Sequence, residues 1–193
     1  MENKTNRRRI RKENSLIEKE IAELKKHNCG DYIIQHALLV MRISEKIVQK
    51  LQVKDVSIDK MVVLRGALLH DIGRSVEHSV RHGYLGGEIL REDGYDDRII
   101  RVVENHVGGG IDKEESKKLW IPEKDFIPTA LEEKIVCLAD KYIEDNKLTP
   151  LEQTLKKFET VLGKRNMASK RILKIKKEIE FLTKEKIEAT IKL

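Results

Sequence analysis

The chain has 193 residues, 39% of them apolar and 37% charged, and a net charge of +6. That length and apolar share suit one packed core in one domain, and periodic apolar spacing excludes a disordered chain. No apolar run nears the roughly 18–20 residues that a bilayer span needs, the stretch Met1–Lys12 lacks a signal peptide's apolar segment, and two cysteines, Cys29 and Cys137, are too few for a disulfide framework. A reducing, cytoplasmic setting is the expectation.

The hydrophobic period stays near 3.6 residues, with no convincing alternation of β-branched residues, so the fold class is all-α. Residues 1–29 make a basic N-terminal helix carrying Leu16, Ile17, Ile21 and Leu24 at helical spacing. A long helix is predicted over Tyr32–Leu51. A second, apolar on several sides and therefore central, is predicted over Asp59–Asp71, with Gly73 as its left-handed C′ residue. Shorter helices at Tyr84–Glu92 and Asp96–His106 flank a turn at Asp93-Gly94. From Gly108-Gly109-Gly110 to Pro128 regularity lapses except for a short helix at Lys113–Leu119. Long irregular segments often border binding sites, although the glycines read first as plain loop. A helix over Ala130–Asn146 follows. Thr149-Pro150-Leu151-Glu152 then supplies an N-cap, a proline at the first helical position and a glutamate at N3. One final helix runs over Met167–Ile191, so residues 148–193 form a helical extension packing on a central unit of residues 30–147.

The positive charge sits at the ends. Residues 1–27 hold nine Lys/Arg against five acids and residues 164–193 ten against four, while residues 28–163 are net negative. Both ends read as amphipathic helices with a solvated charged face. Nonspecific nucleic-acid binding through them is the alternative, limited by an aromatic content of 4%.

Chemistry concentrates elsewhere. His36 lies on the apolar side of the first long helix, His70 and Asp71 end the second, His106 ends another, and Asp140 follows the apolar run Ile135-Val136-Cys137-Leu138-Ala139. Burying such groups is costly unless they are paired. A divalent cation held by imidazole nitrogens and carboxylate oxygens would compensate several together, and packed helices suit inward-pointing ligands. The order is His36, 33 residues, His70-Asp71, ten residues, His82, 23 residues, His106, 33 residues, Asp140.

This pattern resembles the HD-domain metal-dependent phosphohydrolases in their HDIG form, through His70-Asp71-Ile72-Gly73 after the apolar Gly66-Ala67-Leu68-Leu69, flanked by His36 and by Asp140 in Leu138-Ala139-Asp140-Lys141. The resemblance covers about residues 30–147 and implies an HD-domain helical bundle. It implies one metal on His36, His70, Asp71 and Asp140. His82 with Gly86-Gly87, and His106 before its glycine-rich turn, resemble the extra ligands of a six-ligand branch that includes the symmetrically cleaving diadenosine tetraphosphate hydrolases, in which Asp71's counterpart bridges two ions. Lys141 interrupts that branch's aspartate-tyrosine-isoleucine-glutamate run, and the spacer from Asp71 to His82 is shorter, so substrate identity does not transfer. Uncharacterised archaeal-type HDIG proteins are also similar.

The implied reaction is hydrolysis of a phosphoester or phosphoanhydride of a nucleotide or other small phosphate ester, by hydroxide generated between two divalent ions, with iron or manganese favoured over magnesium, cobalt and nickel. Asp71, His82 and His106 would serve it directly. Arg74 and Lys141 read either as phosphate clamps or as surface charges. His78, four residues before His82, competes with it as ligand, with His82 preferred for its glycine context. His27 reads as a surface cation at a helix end. The six-ligand pattern also resembles mixed-valent di-iron HD-domain oxygenases, the second enzyme reading. A regulatory or RNA-associated module with a vestigial metal site is a third reading. Oligomeric state is open.

Overall fold

The computed structural model describes residues 4–192. Met1–Asn3, Leu193 and the side chains of residues 4–10 and Lys12, which carry much of the expected N-terminal basicity, lie outside the described residues. Among the described residues the architecture is all-α, as the periodicity predicts, with one two-stranded hairpin. Helix α1 spans Lys4–Lys26, α2 Asp31–Val53 and α3 Lys60–Leu69. Then come α4 (His82–Glu92), α5 (Asp97–Asn105), α6 (Lys113–Lys118) and α7 (Leu131–Asp140). The chain ends in α8 (Leu151–Leu162), α9 (Met167–Thr183) and α10 (Ile187–Ile191).

α3 is the axis of the bundle. Val62, Val63, Leu64, Ala67, Leu68 and Leu69 are all buried, because α1, α2, α5 and α7 pack round it. Asp59 caps it by accepting from the Met61 and Val62 amides at 3.1 and 3.3 Å. α2 contributes the stripe Ile34, Ala37, Val40, Met41, Ser44, Ile47, Val48 and Leu51. α1 adds a fully buried Leu24, with Leu16, Ile17 and Ile21 against the same core. α9 closes the far side through Ile172, Ile175 and Ile179. Cys29 and Cys137 are free thiols, both buried.

Four sequence expectations fail locally. The helix predicted over Ala130–Asn146 ends at Asp140, and strands β1 (Ile143–Glu144) and β2 (Lys147–Leu148) pair antiparallel. Asp145 and Asn146 have φ of 48° and 56°, the two left-handed residues of a tight hairpin turn. Thr149 does not cap α8. Its hydroxyl bonds the Lys147 carbonyl at 3.2 Å, and Pro150, with ψ of 137°, stands just before the helix instead of inside it. The predicted Met167–Ile191 helix breaks at Lys184, whose φ of 58° lets α10 fold back so that Ile187 and Ile191 join the core.

The fourth concerns Gly73. α3 ends at Leu69, and Gly73 lies in a 3-10 turn over Ile72–Ser75 without a positive φ. Glycine is needed there for space: a Cβ would fall 2.0 Å from the His82 carbonyl oxygen and 2.5 Å from the Gly86 nitrogen. That contact lays α4 directly on the His70-Asp71 corner.

Candidate metal centre

Five helices and the turn after α3 deliver side chains to one pocket. His36 comes from the middle of α2, His70 from the residue after α3, Asp71 from the turn that follows, His82 from the first position of α4, His106 from the residue after α5 and Asp140 from the end of α7. His70, Asp71, His82 and His106 are buried, while His36 and Asp140 keep a small exposed edge. All six residues marked out by spacing are therefore brought together. His78 is not among them: it is exposed on the loop before α4.

The helix ends explain the orientation of the imidazoles. A helix leaves its last carbonyls without intrahelical partners. His70 Nδ1 faces the Ala67 carbonyl at 2.8 Å and His106 Nδ1 faces the Val103 carbonyl at 2.7 Å, each three residues upstream. His82 Nδ1 meets the Ser79 carbonyl at 2.6 Å in the same relation. A carbonyl only accepts, so each Nδ1 carries the proton and each Nε2 presents a lone pair to the pocket. His82 Nε2 and His106 Nε2 stand 3.1 Å apart, two lone pairs face to face. His70 Nε2 and Asp71 Oδ1 are buried with no hydrogen-bond partner. Orphaned acceptors turned towards one another fit a cation and little else.

Asp71 divides its two oxygens. Oδ2 lies 3.8 Å from His36 Nε2 and 3.7 Å from His70 Nε2, whereas Oδ1 lies 3.1 Å from His82 Nε2 and 3.5 Å from His106 Nε2. Asp140 Oδ1 belongs to the first group, 2.9 Å from His36 Nε2 and 3.6 Å from His70 Nε2. The donor set, four imidazole nitrogens and two carboxylates, suits a divalent metal ion.

Electrostatics point the same way. Burial pushes the His106 pKa down to about 3, which keeps its ring neutral. Burial opposes ionisation of Asp140, yet the neighbouring Lys141 ammonium keeps it ionised. Lys141 is no surface charge: it is buried and ion-paired with Asp140 Oδ2. Arg74 Nε pairs with Asp71 Oδ2 at 2.6 Å.

The centre opens into two cavities of about 370 Å³ each, which share Arg74, His78, Asp140, Lys141 and Phe158. The first adds His36 and Asp71 with Tyr32, Glu144 and Asp145, and the second adds His82 and His106 with Val80, Val107, Val161 and Leu162. Gly108 borders the second cavity, while Gly109 and Gly110 pack against α9 and the Ile127-Pro128 segment. Sequence reasoning missed Phe158 and the Glu144–Asp145 hairpin, which reach the site only because the chain folds back after α7. His27, expected at the surface, is partly buried and lies 2.6 Å from Asp93. The group Glu23, His27 and Asp93 has ligand-like spacing, but Lys26 Nζ, 2.8 and 2.7 Å from the two carboxylates, already balances it.

Residues 33–145 match the HD domain model. An uncharacterised protein of Methanocaldococcus jannaschii is 41% identical over 159 residues, covering 82% of this chain and 94% of its own. A tRNA (cytidine(56)-2'-O)-methyltransferase of Picrophilus torridus is 40% identical over 136 residues, covering 70% of this chain but 38% of its own. A ribonuclease Y of Pseudothermotoga lettingae is 32% identical over 81 residues, 41% of this chain and 15% of its own. No solved structure matches the chain. Among the described residues no helix is long and apolar enough to cross a membrane. The family match spans the helices that carry all six clustered residues, and the chain belongs to the HD-domain family.

Proposed function

We propose that this protein is a metal-dependent phosphohydrolase that cleaves a phosphoester or phosphoanhydride of a nucleotide or other small phosphate ester at a dinuclear centre. The observation that carries the reading is the split of Asp71, one oxygen turned to the His36/His70/Asp140 group and the other to His82 and His106. His36, His70, Asp71 and Asp140 would hold one ion and Asp71, His82 and His106 the other, which is the six-ligand arrangement. Ions bound there acidify water and polarise a phosphoryl oxygen. The chain's own part is to orient and to neutralise. Backbone carbonyls of Ala67, Ser79 and Val103 fix the imidazole tautomers. Arg74 and Lys141, which line both cavities, meet the negative charge of the transferred group. A ribonuclease is itself a phosphodiester hydrolase, so the likeness to ribonuclease Y is in keeping with this reaction class. Residues 30–147 would form the hydrolytic unit, with residues 1–29 and 148–193 accessory to it.

Elemental analysis joined to phosphate release tests the reading. The wild-type protein, loaded anaerobically with Mn²⁺, is expected to bind two ions per chain and to release phosphate from members of a nucleotide panel. Asp71→Ala should lose both ions and turnover while keeping its helical signal, and His82→Ala should lose one ion. Equal metal content in wild type and Asp71→Ala, or turnover only with consumption of dioxygen, would overturn the assignment.

A further inference from the structure

The second cavity has walls that metal binding does not require. α8 lies beyond the residues matched by the family model and buries only Leu151 fully. Its last turn leaves Val161 80% and Leu162 57% exposed, and Val80, on the loop before α4, is 47% exposed. Scattered exposed apolar residues are ordinary. These are gathered with Val107 and Phe158 round one cavity whose inner end is His82 and His106. Its remaining polar side chains are largely engaged: Arg74 with Asp71, Lys141 with Asp140, Lys157 with Glu144 and Ser79 with Glu77. The other cavity has Tyr32, Ile33 and Ile143 on its walls but sets the Glu144 and Asp145 carboxylates among them, a more polar environment for a ring.

We infer that the cavity between α8 and the His82/His106 end of the centre is a specificity pocket for the non-phosphate part of the substrate, and that it selects a flat apolar group such as an aromatic ring. The inference rests on the phosphohydrolase reading. A phosphoryl group seated at Arg74 and Lys141, on the wall common to both cavities, leaves its substituent to enter one of them, and the apolar one gains by desolvating a ring. A volume of about 370 Å³ is at the small end of ligand cavities, enough for one ring system. Phe158 offers a face for stacking. The lining has no asparagine, glutamine or unpaired carboxylate, and His78 stands on the wall shared with the other cavity, so the pocket sorts substrates chiefly by apolar area and tolerates different rings.

Calorimetric binding of two non-hydrolysable probes, phenylphosphonate and methylphosphonate, to the Mn²⁺-loaded full chain tests this. Wild type should bind phenylphosphonate about tenfold or more tighter than methylphosphonate. In Phe158→Ala, and in the double variant Val161→Ser/Leu162→Ser, that ratio should fall to within about twofold. The double variant alters exposed side chains, so a folding defect in Phe158→Ala alone does not spare the inference. A wild-type ratio near one, or a ratio unchanged in the double variant, overturns it. Phosphate release from p-nitrophenyl phosphate is scored separately: its absence, with the ratio intact, counts against the hydrolase and not against the pocket. Binding of neither phosphonate overturns both.

Discussion

Replacing Gly73 by alanine places a methyl group where the polypeptide already stands. Its Cβ would lie 2.0 Å from the His82 carbonyl oxygen, 2.9 Å from the His82 carbonyl carbon and 2.5 Å from the Gly86 nitrogen. All three are backbone atoms, so no rotamer change relieves the clash. Restoring an ordinary contact of 3.4 Å requires the start of α4 to retreat by about 1.4 Å. Overpacking against rigid neighbours costs about 1–3 kcal/mol, and contact with backbone argues for the upper end. In a chain of this size about 3 kcal/mol corresponds to a fall in Tm of roughly 6–12 °C. His82 moves with α4, and a metal–nitrogen bond does not survive an ångström of displacement. Thermal melting followed by circular dichroism, with metal content measured on the same preparation, should show the lower Tm and loss of the ion assigned to His82 and His106. Gly30→Ala is the control, since nothing lies within 4 Å of a Cβ there and φ is −70°. The two accounts of Gly73 also separate: asparagine tolerates a left-handed C′ position, but it is larger than alanine and should do at least as much damage. Wild-type Tm and metal content in Gly73→Ala would refute the packing argument.

Stripping metal from the wild type should lower Tm, because the His82 and His106 lone pairs would then face each other at 3.1 Å uncompensated. With Mn²⁺ at about 100 to 1,000 times Kd the difference from the chelated protein should be about 5–16 °C, and coincident melts would argue against a bound ion. Glu20 is fully buried, with Arg65 Nε and the Tyr95 hydroxyl both donating to it at 2.6 Å. Glu20→Ala strands both donors and should cost about 2–4 kcal/mol in urea denaturation, with activity at saturating substrate retained. Burial opposes ionisation of Glu180, but Lys176 and the Ile187 amide outweigh it and bring its pKa below 4.5. A depressed folded pKa stabilises above the unfolded value and ceases to as the pH falls through the folded one. The Tm advantage of wild type over Glu180→Gln should therefore be constant from pH 7 to 5 and shrink below 4.5. A gap independent of pH would show that Glu180 contributes through shape alone.

Much of the site was legible because its residues are out of keeping with their surroundings. His36, His70 and Asp140 interrupt strongly apolar helical stripes, and a costly group at a buried position asks for a partner that spacing along the chain can suggest. That the six side chains meet in one pocket is a fact of the structure, and their duties there are proposed. Phe158 and the hairpin at Asp145-Asn146 gave no such signal. A phenylalanine at helical spacing looks like core, and Ile143-Glu144 continues the α7 period closely enough to be taken for helix. Helix ends were misjudged for a related reason: whether Thr149 caps α8, or Lys184 turns the chain, depends on competing hydrogen bonds and on a core surface several helices away.

Local chain chemistry by itself determined the helical class, the central place of the Lys60–Leu69 helix and the identity of the unusual polar residues, since amphipathic period and burial cost are both written in residue order. Only the tertiary structure decided which oxygen of Asp71 faces which histidines, why Gly73 must lack a side chain, and that α8 walls one side of the centre. Those depend on distances between segments tens of residues apart, and such distances are settled by how helices pack against one another and not by any pattern along one of them.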